Sequence, residues 1–401
     1  MRSGFRFDPP PVEVSAELRW LLWRAFGPAG EGLTGVGDLG PEAVTDLARR
    51  FDLAARVGAR TPIEVLEAEL GQAEAAQLCE ARFTAAARSL IAGQVCREIG
   101  EAGRLLKVPL IFLKGAALHL GEVSAPGSRN LSDVDVLAPE DGSRRLQEAL
   151  IAAGCPALEV PESEHQHQLL SHRLGLAIEV HKIIPGVRIG GGSSATAGVL
   201  IEKGLVRPAP GLGDGCYLPS DEVVLAHLLV HGIAQHGLSP QGYPMSRMLA
   251  DAQDLGAGDD LWQAARRWIE RDASREEVEA VAGLAGRLGG GEDPAAMVAG
   301  DDDSGALLRH LLAGVLDEGY ARSMKFRGLT ATPKDGGRAR ALAKTMRGAL
   351  LPKRAQIDIL YGPPRTELGY WGWRLWRPFD VVLRAGRYGA AWVVHRVRMR
   401  N

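Results

Sequence analysis

Between Val108 and Leu113 the chain is apolar without a break, and the run stops abruptly at Lys114-Gly115. A short continuous apolar run of this kind predicts a strand buried on both faces. Two later stretches alternate instead. Ser132-Asp133-Val134-Asp135-Val136 opens a predicted strand over 132–138, and Leu176-Ala177-Ile178-Glu179-Val180-His181 predicts another. Side chains on a strand alternate faces with period two. Asp133 and Asp135 therefore share one face, Glu179 and His181 share another, and the valines and isoleucine between them point into the core.

The rest of the pattern is largely helical. From Ser15 to about Arg104 the residues are mostly Ala, Leu, Glu and Arg, which favours helices. Glycine-rich breaks near 27–40 and the Thr61-Pro62 step divide this stretch into short helices. The last of them, over about 81–105, carries Leu90, Ile91, Val95, Ile99 and Leu105 at near-helical spacing. Ala116–Leu120 begins a helix after Lys114-Gly115, and 140–153 reads as a helix stopped by Gly154. The glycine-rich 186–198 reads as a flexible loop. Ser220, followed by Asp221 and Glu222, starts a further helical region, with helices at about 244–256, 260–288 and 303–324. Residues 1–14 form a proline-rich irregular lead-in, and the Lys/Arg/Gly-rich 334–348 reads as partly mobile. The pattern predicts an α+β fold: a small mixed β-sheet core at 105–205, between an N-terminal helical region at 1–104 and a C-terminal one at 206–401.

Composition narrows the class. The 401 residues are 46% hydrophobic and 24% charged with a net charge of −2, ordinary for a globular chain and no mark of wholesale nucleic-acid binding. Cys79, Cys96, Cys155 and Cys216 show no paired spacing, so reduced thiols are expected rather than a zinc site or disulfide framework. The N-terminus lacks the apolar segment of a signal peptide. No run approaches the ~20 apolar residues that span a bilayer. A cytoplasmic protein is expected.

The chemistry follows from the acidic strand. Two carboxylates projecting together from a buried strand repel each other unless a cation lies between them. Mg²⁺ suits such a position, because carboxylates and substrate phosphate oxygens share its coordination. With Glu179 on a neighbouring strand, three carboxylates can hold two such ions about 3.5–4 Å apart. The turn at Lys114-Gly115 offers backbone N–H groups to phosphate, and Lys114 adds a point charge or is a surface lysine. Arg129 clamps phosphate or balances the acids.

The order Phe112-Leu113-Lys114-Gly115-Ala116-Ala117-Leu118, then Arg129, then Ser132-Asp133-Val134-Asp135-Val136-Leu137 resembles the polymerase-beta-type nucleotidyltransferase superfamily. More narrowly it resembles a bacterial group of nucleotidyltransferase-like proteins with Leu-Lys-Gly, Arg and Asp-x-Asp. Glu179-Val180-His181 matches that group's later Glu-x-His, and His231 and Asp251 loosely match its helical His and Asp. The resemblance covers about 82–255 and implies Mg²⁺- or Mn²⁺-dependent transfer of NMP from an NTP, ATP included, to an unnamed hydroxyl or phosphate acceptor. It implies Asp133, Asp135 and Glu179 as metal-holding catalytic carboxylates, Glu179 being a ligand or the base. Lys114, Gly115, Arg129 and Ser132 are implied for nucleotide binding, and His181, His231 and Asp251 for the pocket. One departure stands out: the superfamily's Gly-Ser or Gly-Gly is Gly115-Ala116 here. The spacing from Gly115 to Asp133 is also longer than the tightest form of the motif. Two other readings therefore stay open, a catalytically silent nucleotide- or partner-binding module and a tRNA-modifying toxin of the abortive-infection type.

Other features carry plainer readings. His227 and His231 share a helical face, yet no His-Glu-x-x-His is present, and pocket-lining or buried histidines are expected, also for His165, His167, His172 and His236. Asp251 is expected to pair with Arg247 one turn earlier, and Asp301-Asp302-Asp303-Ser304 to cap the next helix. No phosphate-binding G-x-x-x-x-G-K-[ST] exists. The tail holds Trp371, Trp373, Trp376 and Trp392 among Arg374, Arg377, Arg384, Arg387, Arg396, Arg398 and Arg400, with Asp380 opposing. Docking by the aromatics with arginines outward is the preferred reading, and contact with RNA or a membrane surface the other.

Overall fold

A computed structural model describes residues 9–28, 30, 38–158, 162–190, 192–236, 238, 245–269, 273–330 and 366–398. Residues 1–157 and 162–312 form one compact unit, and 158–161 with 313–401 a second. The expected partly mobile stretch at 334–348 lies outside the described residues, as do residues 1–8 of the lead-in; 9–14 carry no regular structure.

The first unit opens with five helices, α1 (Ala16–Phe26), α2 (Pro41–Arg50), α3 (Ala54–Arg60), α4 (Ile63–Leu70) and α5 (Gln72–Leu106). Strand β1 (Leu110–Phe112), helix α6 (Lys114–Leu120), strand β2 (Asp133–Leu137) and helix α7 (Glu140–Ala152) follow. Next come β3 (Leu170–Ser171), β4 (Ala177–His181), β5 (Ile184–Ile189) and β6 (Ser193–Ala195), then α8 (Ala197–Glu202), β7 (Val206–Pro208) and β8 (Cys216–Pro219). The six-stranded mixed sheet has the order β3-β4-β2-β1-β8-β7, and β5 and β6 pair separately as an antiparallel ribbon. Most of the expected glycine-rich loop at 186–198 thus lies in this ribbon. Ile184, Val187, Ile189 and Ala195 bury its inner face, and Gly190 at φ +53° and Gly192 at φ +117° supply the left-handed backbone of the turn.

Long α5 lies along the sheet on small residues. Ala92, Val95, Cys96, Ile99, Gly100 and Gly103 are buried, and a Cβ on Gly103 would come within 2.5 Å of Leu110 Cδ1. Leu90 and Leu105, expected on the buried stripe, face solvent instead at 74% and 70% exposure. The close helix–strand approach needs small residues, so the buried stripe runs through alanine and glycine rather than through the larger leucines.

Beyond the sheet come α9 (Asp221–Leu229), a π-helical segment (Val230–Gln235), α10 (Met245–Asp254), α11 (Asp259–Arg267) and α12 (Ala273–Gly289). The single expected helix over 260–288 is therefore two. Helices α13 (Pro294–Ala299) and α14 (Asp303–Leu316) follow, with Asp302 Oδ1 accepting from Gly305 N–H at 2.7 Å as the expected cap. Buried Arg56 of α3 donates to Ala25 O at 2.7 Å, Asp254 at 2.7 Å and Gln253 at 2.8 Å, tying the N-terminal helices to α10. In the second unit, α15 (Glu318–Thr330) lies against the C-terminal helix Glu367–Arg398. Among the described residues no helix is long and apolar enough to cross a membrane.

Candidate active site

Strands β2 and β4 run parallel, in a register that sets Asp135 opposite Glu179 and Leu137 opposite His181. Because β1 is antiparallel to β2, the end of β1 delivers Lys114 beside the same residues, and Leu113 N–H donates to Asp135 O at 2.9 Å. Lys114 has a left-handed backbone at φ +46°. This conformation is costly for a side chain with a Cβ and is concentrated at functional sites.

The side chains converge. Lys114 Nζ lies 2.8 Å from Asp135 Oδ1 and 3.9 Å from Glu179 Oε2. His181 Nε2 lies 2.8 Å from the same Asp135 oxygen and 3.3 Å from Glu179 Oε2. Asp135 is 2% exposed. Burial pushes its carboxyl up, but the Lys114 ammonium and the His181 hydrogen bond outweigh that and hold it well below the usual range. Burial likewise pulls Lys114 and His181 down, and the carboxylates raise both above their ordinary values. Asp133, two residues along the face, is different. Burial and the neighbouring Asp135 raise its carboxyl, with Ser132 Oγ donating to Oδ1 at 3.0 Å.

Behind this group stands Arg129. Its Nε donates to Asp251 Oδ1 at 2.9 Å, and Asp251 is 1% exposed. The expected Asp251–Arg247 pair does not form. Arg247 reaches Asp52 instead, because the buried side of α10 points Asp251 inward to a guanidinium 122 residues away in sequence. Gly115 makes room: a Cβ there would lie 2.1 Å from Arg129 Nη1 and 2.6 Å from Leu131 Cδ2.

A cleft of about 390 Å³ is lined by Lys114, Gly115, Arg129, Ser132, Asp133, Asp135, Glu179 and His181. His165, His227, His231, Gln235, His236 and Arg247 line it too, with the His165 ring stacked on His181 at 6.2 Å. Of the residues expected at the site, Asp251 does not line the cleft; it holds Arg129. His165, His227, His231 and His236, expected as pocket-lining or buried histidines, all line this cleft. The i, i+4 spacing of His227 and His231 was visible, but His236 is five residues past His231. The π-helical turn, closed by His236 N–H donating to His231 O at 3.1 Å, brings those two rings to 4.5 Å. Burial lowers the His227 imidazole well below its usual value, and burial with Lys114 takes His231 down to about 4. Among the described residues, buried His227 Nε2 has no hydrogen-bond partner.

Among the described residues, Asp135, Glu179 and His181 form the one group whose donor atoms, all within 4.8 Å of one another, can hold a metal ion. Asp133 is not part of that group. The donors fit a divalent cation, since the carboxylate oxygens of Asp135 and Glu179 converge beside the His181 imidazole, an oxygen-rich set with one nitrogen.

No curated protein and no solved structure matches the chain. Residues 38–284, which include every cleft residue, match the family described as an uncharacterised nucleotidyltransferase. With three-fifths of the chain matched, the protein belongs to that nucleotidyltransferase family.

Proposed function

We propose that the protein transfers NMP from an NTP to a hydroxyl or phosphate acceptor with release of pyrophosphate, using Mg²⁺ or Mn²⁺. The observation that carries this reading is the register of β2 and β4, which places Asp135 opposite Glu179 with Asp133 on the same cleft face. Oxygen donors favour Mg²⁺, and adjacent His181 also suits Mn²⁺. The cation would be held by Asp135 and Glu179, joined by Asp133, and would polarise the phosphate and neutralise its charge.

The remaining work belongs to the chain's own side chains. Arg129, held by Asp251, presents its guanidinium beside Gly115 to the phosphates, and Lys114 supplies a second positive charge. Glu179, if not a ligand, takes the acceptor proton as the new O–P bond forms and the bond to pyrophosphate breaks. Ser132 keeps Asp133 oriented. Such chemistry is mainly positioning and charge neutralisation. Incubation with labelled NTPs, Mg²⁺ and a cell extract should label the acceptor and release pyrophosphate, and Asp135→Ala should abolish both. Transfer that survives in that variant would sink the assignment.

A second reading, a silent nucleotide-binding module, is favoured by one feature: Lys114 bridges Asp135 and Glu179, where the cation would sit, and Ala116 replaces the superfamily's small phosphate-contacting residue. Calorimetry with NTP and Mg²⁺ followed by a pyrophosphate assay separates the two, since binding without turnover supports the silent module. Labelling of tRNA in the extract, with growth arrest on expression, would instead identify the toxin reading.

A further inference from the structure

The C-terminal helix Glu367–Arg398 inverts the usual pattern of a surface helix. Of the fourteen large apolar side chains that face solvent among the described residues, seven lie within its first 17 residues. Leu368, Trp371, Leu375, Phe379 and Val382 recur at steps of three and four, which places them on one stripe, and Trp376 and Leu383 widen it along one edge. Their exposures run from 47% at Trp376 to 85% at Leu368. The expectation that the aromatics dock inward with arginines outward is met only in part over the described side chains, with Tyr370 buried, Trp373 half-buried and Arg387 exposed. Trp371 and Trp376 are exposed, whereas Arg377 is half-buried and paired with Asp380 at 3.0 Å. Trp392, Arg384, Arg396 and Arg398 are outside the side chains described, and Arg400 is outside the described residues.

We propose that this stripe lies in the surface of an anionic lipid bilayer. Three observations select that occupant. The helix carries six arginines against Glu367 and Asp380, in a chain whose net charge is −2, so its positive charge is local. Two copies meeting face to face would bring those like charges together, whereas anionic headgroups neutralise them. The apolar face holds no arginine among the described residues. Arg374 lies at its margin with its guanidinium 5.3 Å from the Trp371 ring centre, and Arg387 is exposed beyond it. Apolar and aromatic side chains along the centre with cations at the rim match a helix lying in the interface plane. Single-stranded nucleic acid asks instead for cations interleaved with the rings. The helix is not apolar enough to span a bilayer. It also lies outside the residues matched to the nucleotidyltransferase family, so the inference stands apart from the proposed reaction.

The test is flotation of the full chain with vesicles of phosphatidylcholine alone and of phosphatidylcholine mixed with phosphatidylglycerol. The protein should float with the anionic vesicles only, and raising the salt to about 0.5 M should weaken binding. Leu375→Glu with Phe379→Glu should cut partitioning about tenfold or more. Both positions face solvent, so the unfolding midpoint should stay put and report an intact fold. Arg374→Gln with Arg387→Gln should reduce the preference for anionic vesicles. Failure to float with either vesicle overturns the proposal, as does binding that the glutamate pair leaves unchanged. A dimer in light scattering that the glutamate pair dissolves would assign the face to a second copy, and RNA binding without flotation would assign it to nucleic acid.

Discussion

At the scale of single residues, the site is a balance of buried charges. Asp135 accepts from both Lys114 and His181 through one oxygen. Asp135→Asn should therefore destabilise the first unit by about 3–5 kcal/mol, because the buried Lys114 ammonium loses its nearest counter-charge and His181 its carboxylate partner; urea unfolding of the variant measures it. Gly115→Ala drives a methyl against the Arg129 guanidinium. It should weaken NTP binding at least about tenfold by displacing that side chain from Asp251, read by calorimetry. The titrating groups have opposite signs. His227 folds with its imidazole well below the unfolded value near 6.5, so the unfolded chain binds that proton first. The corresponding stability is complete above pH 6.5 and falls as pH drops below it. His181, raised by its carboxylates, contributes stability that is complete below about pH 6.5 and is lost as pH rises through its folded value. His227→Asn should accordingly lose less stability than the parent between pH 7 and pH 5, measured as the change in denaturation midpoint.

At the scale of elements, two packings position the cleft. Gly103 lets α5 approach β1, and Gly103→Val should cost about 1–3 kcal/mol by overpacking against Leu110, visible as a lower thermal midpoint. The π-helical turn at Val230–Gln235 sets His236 beside His231. Deleting Ala234 would restore an α-helical register and swing His236 away by about a quarter turn or more. Substrate affinity should fall with little change in helix content by circular dichroism. The strands themselves were legible, since β1, β2 and β4 match the apolar run and the two alternating stretches to within two residues. The β5–β6 ribbon was not, because its glycines read as a loop and its pairing is between strands that each bury only one face. Nor was the break between α11 and α12, which shows no strong stop signal in the sequence.

At the scale of the whole chain, the family match ends at residue 284 and the first compact unit at 312. A chain cut after Asp317, which keeps α14 whole, should still bind NTP while losing flotation with anionic vesicles, and calorimetry with flotation checks both. The sequence by itself determined the α+β class, the Asp-x-Asp strand, the Lys-Gly turn and the later Glu-x-His. These follow from local periodicity and residue chemistry, which need no knowledge of neighbours. Only the tertiary structure decided which groups meet. Parallel register set Asp135 against Glu179 and Asp133 against Ala177, and brought His181 within hydrogen-bond reach of Asp135. Packing of α10 gave Asp251 to Arg129 rather than to Arg247. Packing also left Trp371, Trp376 and Phe379 exposed on the C-terminal helix while burying Tyr370. Register, long-range ion pairs and the choice of buried helix face all depend on residues far apart in sequence. A linear pattern shows that such partners are needed, and the fold selects them.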